Sequence, residues 1–106
     1  MKIDKGFYYH YKHDPAGEFN NYAYEVLGVA HHTEEGVDLV IYRPLYDSAF
    51  VYQHDKMFDA RPYEMFTEAV EKEGKRFPRF QIITDPELIA QLETTRETLY
   101  PAYARG

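Results

Sequence analysis

Two runs of alternating side chains on either side of a short turn constrain this chain more than any other feature. From Tyr22 to His32, the residues Tyr22, Tyr24, Val26, Gly28 and Ala30 fall on one face of an extended strand. Ala23, Glu25, Leu27, Val29 and His31 fall on the other. From Val37 to Tyr46, the row Val37, Leu39, Ile41, Arg43 and Leu45 alternates with Asp38, Val40, Tyr42, Pro44 and Tyr46. Thr33-Glu34-Glu35-Gly36 joins the two, with Gly36 able to take the left-handed conformation of a tight hairpin. Neither face is cleanly polar. Both sides are therefore expected to be part-covered, as in a small barrel or a sheet with something packed across it. Pro44 has no N–H for a ladder, which places it at an edge or a bulge.

Further strands flank this hairpin. Gly6 to His13 is aromatic and reads as a strand, followed by turn chemistry at Asp14-Pro15-Ala16-Gly17, where Gly17 permits a positive φ. Asp47-Ser48 predicts another turn and Phe50 to Tyr52 a short strand. Arg61 to Phe66 predicts one helical turn, with Pro62 at its first position and Met65 and Phe66 on one buried side. Glu68–Lys72 and Arg76–Ile83 read as a second hairpin about Glu73-Gly74-Lys75. Eleven Tyr and seven Phe suit half-buried sheet positions, where a ring packs on one side and a hydroxyl meets water.

The C-terminal segment has a different period. Thr84 and Glu87 have capping-box spacing around Asp85-Pro86, and Leu88, Ile89, Leu92 and Leu99 make an apolar stripe that Pro101 ends. That face must pack on the sheet or on a second copy of the chain, and the sheet is the favoured surface. The reading is a mainly β chain, a small antiparallel barrel or rolled sheet with a C-terminal α-helix. It divides into a β-barrel-like domain over 1–84 and a helix and tail packed on it over 85–106.

Charge and composition exclude several function classes. With 106 residues the chain suits one core, and with no Cys it has no disulfide framework, thiol nucleophile or Cys-ligated metal. No apolar run reaches membrane-spanning or signal-peptide length, which predicts a soluble cytoplasmic protein without membrane contact. The net charge of -6 is uneven: residues 14–60 carry nine carboxylates against Arg43 and Lys56. Such a body repels a phosphate backbone, so non-specific DNA binding is not expected. Ser48 is the only Ser, and neither a nucleophile elbow nor a phosphate-cradling Gly-rich loop is present. No cofactor is called for. One metal arrangement is open: His10, His31 and Glu25 could meet between strands as a two-histidine, one-carboxylate site of a small metal-dependent enzyme.

Four strings, FYYHYKH, YEVLGVAHHTEEG, LVIYRPLY, and RPYEMFTEAV with EGKRFPRF, resemble a bacterial domain-of-unknown-function family, number 1653. The likeness covers about residues 6–80. It implies a small SH3-like barrel and adds no chemistry, the family having no established activity. The family pattern tends to place a Trp just before the Arg-Pro pair, where this chain has Asp59-Ala60.

The preferred functional reading is a non-catalytic binding or adaptor module. Arg43-Pro44, Arg61-Pro62 and Pro78-Arg79-Phe80 each set a guanidinium beside a ring-constrained residue, with Tyr46 and Tyr63 near in sequence. Arg supplies a planar fork for carboxylate or phosphate, and Tyr supplies stacking and a hydroxyl. Arg43, Tyr46, Arg61, Tyr63 and Arg79 are thus the candidate ligand-binding residues. The partners that fit are a peptide, a single-stranded nucleic acid or a small anionic ligand. The apolar helix stripe offers a homodimer seam if it does not pack within the chain.

Overall fold

The computed structural model describes residues 3–46 and 58–100. The turn at Asp47-Ser48, the strand expected at 50–52 and Pro101 lie outside them. In chain order the elements are β1 (Gly6–His10), β2 (Ala23–His31), β3 (Asp38–Pro44), β4 (Asp59–Pro62), α1 (Tyr63–Thr67), β5 (Ala69–Lys72), β6 (Lys75–Pro78), β7 (Phe80–Ile82) and α2 (Pro86–Leu99). Five strands form one antiparallel sheet in the order β4-β3-β2-β1-β7, and β5 and β6 form a separate two-stranded ribbon. The fold is mainly β, as the alternation predicts. The sheet is rolled and does not close into a barrel.

The expected long hairpin is β2–β3, and Gly36 takes its left-handed role with φ of 70°. One detail differs from simple alternation. Val26 pairs with Tyr42 and Gly28 with Ile41, so Leu27 is an extra residue, a β-bulge. The bulge inverts the parity of β2. Beyond it, Val29 rather than Gly28 shares a face with Val40. Pro44 pairs with Tyr24 on one side, while β4 spans only Leu39 to Tyr42 on the other, so its missing donor breaks no ladder there.

Each sheet face is covered by different means. On one, Phe7, Ala23, Leu45 and Ile83 pack with Leu92 and Tyr100, joined by Leu88, Ile89 and Leu99. The apolar stripe of α2 is thus laid on the sheet of its own chain. On the other, Tyr8, Val26, Val40, Tyr42 and Phe80 surround Phe66, the one buried residue of α1. Phe66 stacks on Phe80 with centroids 4.0 Å apart and meets Tyr8 and Tyr42 edge-on.

Four local expectations are corrected. Met65 is exposed, because a five-residue helix has only one turn and its next residue, Phe66, fills the contact. Asp85, not Thr84, caps α2: its carboxylate accepts from the Glu87 N–H at 3.1 Å. Pro86 at the first helical position forces its predecessor into extended backbone, which leaves Asp85 as the cap. The strand expected through Ile83 breaks at Arg79, so β6 stays with β5 while β7 joins β1. The first strand ends at His10, and the following loop is tied by Asn21, which exchanges hydrogen bonds with the backbone of Asp14, rather than by a left-handed Gly17.

Candidate functional site

Strand parity sorts the candidate residues onto opposite faces. Arg43 shares a side of β3 with Leu39 and Ile41, and its guanidinium ends beneath α2 with only 2% of the residue exposed. Its Nε and Nη2 donate to Oε1 of Glu25 at 3.0 and 2.9 Å, and its plane lies 4.3 Å from the centroid of Tyr100. Arg96 of α2 reaches the other Glu25 oxygen at 2.8 Å. Arg43 is therefore part of a buried clasp between sheet and helix and is not presented at the surface. Glu25 and Arg96 were not singled out as its partners by sequence, since their pairing spans 71 positions.

Arg61 and Arg79 sit elsewhere. Arg61 pairs across the ladder with Val40, which puts it on the same face as Tyr42, Tyr24, Tyr8 and, across the sheet, Phe80. Its Nε donates to the Tyr42 hydroxyl at 3.1 Å, and its guanidinium stands 5.8 Å from the Phe80 ring centroid. Among the described residues no carboxylate lies within ion-pair distance of Arg61. Arg79 has one long contact, 3.5 Å to Glu68, and its buried Nε has no hydrogen-bond partner among the described residues.

His10 lies between these cations and was missed as a site residue except for its metal role. Its pKa is lowered from 6.5 to about 4, first by burial and then by Lys12, Arg61 and Arg79. The Lys12 N–H donates to His10 Nδ1 at 3.2 Å, so the neutral ring keeps its proton on Nε2. A sequence signal existed: in a strand, His10 has the parity of Tyr8, a residue of the same aromatic face.

The rings continue from there. His10 is 4.5 Å from Tyr11 and 5.7 Å from Tyr22 by centroid, and Tyr22 is 5.6 Å from Tyr46. Tyr22 holds a positive φ of 53°, a strained conformation for an aromatic residue, while its backbone oxygen accepts from His10 N. The Tyr24 and Tyr46 hydroxyls share a hydrogen bond of 2.6 Å, and burial pushes both pKa values up, so both remain protonated. Tyr46 is therefore on this face with Arg61. Tyr63, at the start of α1, packs against the edge of the same aromatic cluster and also lines a groove of about 250 Å³ with Val37, Asp38, Pro62 and Glu64.

The metal arrangement does not assemble. Glu25 is held by two arginines on the helix side, His10 is on the opposite face, and His31 is at the far end of β2, beyond the residues that pair with β1. Among the described residues no three His, Asp or Glu side chains are grouped to hold a metal ion. No helix among them is long and apolar enough to cross a membrane.

Fold and site define a small rolled-sheet protein with a ring-lined face that carries arginines. The chain belongs to the DUF1653 family of proteins of unknown function, whose sequence pattern matches residues 6–82. It is also similar to a crystal structure of a DUF1653 protein from Bordetella bronchiseptica, at 27% identity and a TM-score of 0.59, over 78% of this chain and 94% of that one. Comparison with curated proteins finds no match.

Proposed function

We propose that the chain is a non-catalytic binding or adaptor module whose ligand brings an anionic group to Arg61 beside an apolar or aromatic body. The observation that carries this reading is the state of Arg61. Tyr42 holds its Nε and Phe80 lies beneath it, while both terminal nitrogens are free of carboxylates among the described residues. A guanidinium oriented in this way is a preformed fork for a carboxylate or phosphate. Arg79 adds a second positive charge and His10 a neutral donor, so one anion can be met by a fork and an N–H together. The rings of Tyr22 and Tyr46 supply the apolar wall.

Phenyl phosphate and benzoate are suitable probes, since each joins an anion to a ring. Titrated into the ¹⁵N-labelled protein, they should shift the resonances of His10, Arg61 and Arg79, and Arg61→Ala should abolish the shifts. Arg61→Lys should retain only part of the affinity, because a point charge replaces the fork. Shifts that are confined to other surfaces, or are unchanged in Arg61→Ala, would overturn the reading.

A further inference from the structure

The row of rings does not stop at His10. Tyr11, whose ring is tilted 36° against that of His10, lines a groove of about 300 Å³ together with Phe77, Lys72, Glu73 and Lys75 of the β5–β6 ribbon. Phe77 is 40% exposed although it is a large apolar ring. Its exposure follows from register. Val70 pairs with Phe77 and Lys72 with Lys75, so the ring and both lysines point to the same side of the ribbon. Tyr11 N donates to Arg79 O at 2.9 Å, which ties this groove to the Arg61 face through the backbone of Arg79. The result is one path along the surface: Tyr46, Tyr22, His10, Tyr11, then Phe77. Arg61, Arg79 and Lys12 surround its middle, as the environment of His10 records, and Lys72 and Lys75 flank its end.

We propose that the anionic ligand of this module is a short single-stranded nucleic acid laid along this path, with bases on the rings and phosphates on the flanking cations. The inference rests on the binding reading above and names its ligand. Two features choose a nucleic acid over an acidic peptide. A run of rings is flanked by cations at its middle and at one end, which suits a chain that carries planar bases beside phosphates, whereas acidic side chains have no face to stack. Single strands are also preferred over a duplex. The rest of the body is acidic, with a balance of -7 over residues 14–60, and a duplex presents phosphates to it from both strands. A single strand can follow the narrow cationic path and avoid that surface. Glu68 beside Arg79 and Glu73 in the groove temper the field, so affinity should depend on stacking as much as on charge.

The test is fluorescence anisotropy with labelled mixed-sequence oligonucleotides of about eight nucleotides, as RNA, as DNA and as a duplex. Either single strand should bind, the tighter one identifying the natural sugar, and the duplex should bind at least about tenfold more weakly. Tyr11→Ala and Phe77→Ala should each weaken single-strand binding roughly tenfold. The pair Lys72→Ala and Lys75→Ala should lower the slope of log affinity against log salt by about 1.4, two phosphates' worth for a single strand. Phe77, Lys72 and Lys75 are exposed, and unchanged circular dichroism and urea midpoints verify folding. If single strands fail while phenyl phosphate still shifts Arg61, the inference falls and the binding reading stands. If neither binds, both fall. Single-strand affinity unchanged by Phe77→Ala and by the lysine pair, or polyglutamate displacing the strand at equal concentration, would also overturn it.

Discussion

Arg61 and Phe80 touch across the sheet although they stand on its two opposite edge strands, β4 and β7. In a flat sheet those edges would be about 19 Å apart, four spacings of roughly 4.8 Å. A guanidinium 5.8 Å from the ring centroid therefore measures how far the sheet has rolled. The roll makes the proposed binding face: it brings the cation of one edge over the ring of the other, with Tyr42 between them as hydrogen-bond acceptor. Tyr42→Phe removes that acceptor and keeps the ring. Stability should change by no more than about 1 kcal/mol, while phenyl phosphate affinity should drop severalfold as Arg61 loses its orientation. Equal affinity for the variant and the parent protein would show that Tyr42 does not set the guanidinium.

Phe66 is the plug of the rolled face. It is 1% exposed, stacked on Phe80, and supplied by a helix too short to hold itself together. Phe66→Ala should cost about 3–5 kcal/mol, read as the shift of the urea unfolding midpoint. Met65→Ala, next to it in sequence but exposed, should cost well under about 1 kcal/mol. Comparable losses at the two positions would contradict the placement of α1.

His10 makes stability depend on pH in a defined direction. Its folded pKa is about 4, against an ordinary 6.5, so between these values the unfolded chain binds more protons than the native one. Stability then rises with pH across that window: the contribution is whole above 6.5 and is lost as pH falls toward 4. His10→Gln should flatten this part of the profile, as seen in urea midpoints collected from neutral to acid pH. Parallel profiles for both proteins would remove His10 from the cationic pocket. Phenyl phosphate should raise the His10 pKa in an NMR titration, because an anion offsets Arg61 and Arg79.

Much of the fold was legible because the strands obey parity. Arg43 already stood in the row of Leu39, Ile41 and Leu45, and that row is the side covered by α2. What misled was local chemistry. Arg43-Pro44 and Arg61-Pro62 look alike as dipeptides, yet one arginine is buried in a clasp and the other is half-buried over the aromatic face, clear of carboxylates among the described residues. The partners that decide between these fates, Glu25 with Arg96 and Tyr42 with Phe80, are distant in sequence. The bulge at Leu27 was equally hidden, since a single extra residue leaves no composition signal and only reverses the faces beyond it. The value of His10 depended on Arg61 arriving from β4 and Arg79 from the break between β6 and β7.

The clasp gives the sharpest energetic test. Arg43 is 2% exposed, and Glu25 is its only carboxylate partner among the described residues. Its Nη1 is buried without a hydrogen-bond partner among them, so the cation depends on one carboxylate and the rings of Tyr100 and Phe58. Removing that carboxylate leaves a charge in low dielectric. Glu25→Leu should therefore cost about 3–5 kcal/mol. Arg96→Ala should cost much less, because its side chain is 23% exposed and Glu25 keeps Arg43. Replacing the pair together, Glu25→Leu with Arg43→Met, should recover most of the Glu25→Leu loss, since a buried ion pair exchanged for apolar groups is often nearly neutral. A double-mutant cycle from urea unfolding reads the coupling directly. Additive losses would mean that the two charges do not depend on each other, and the account of how α2 is held to the sheet would fail with them.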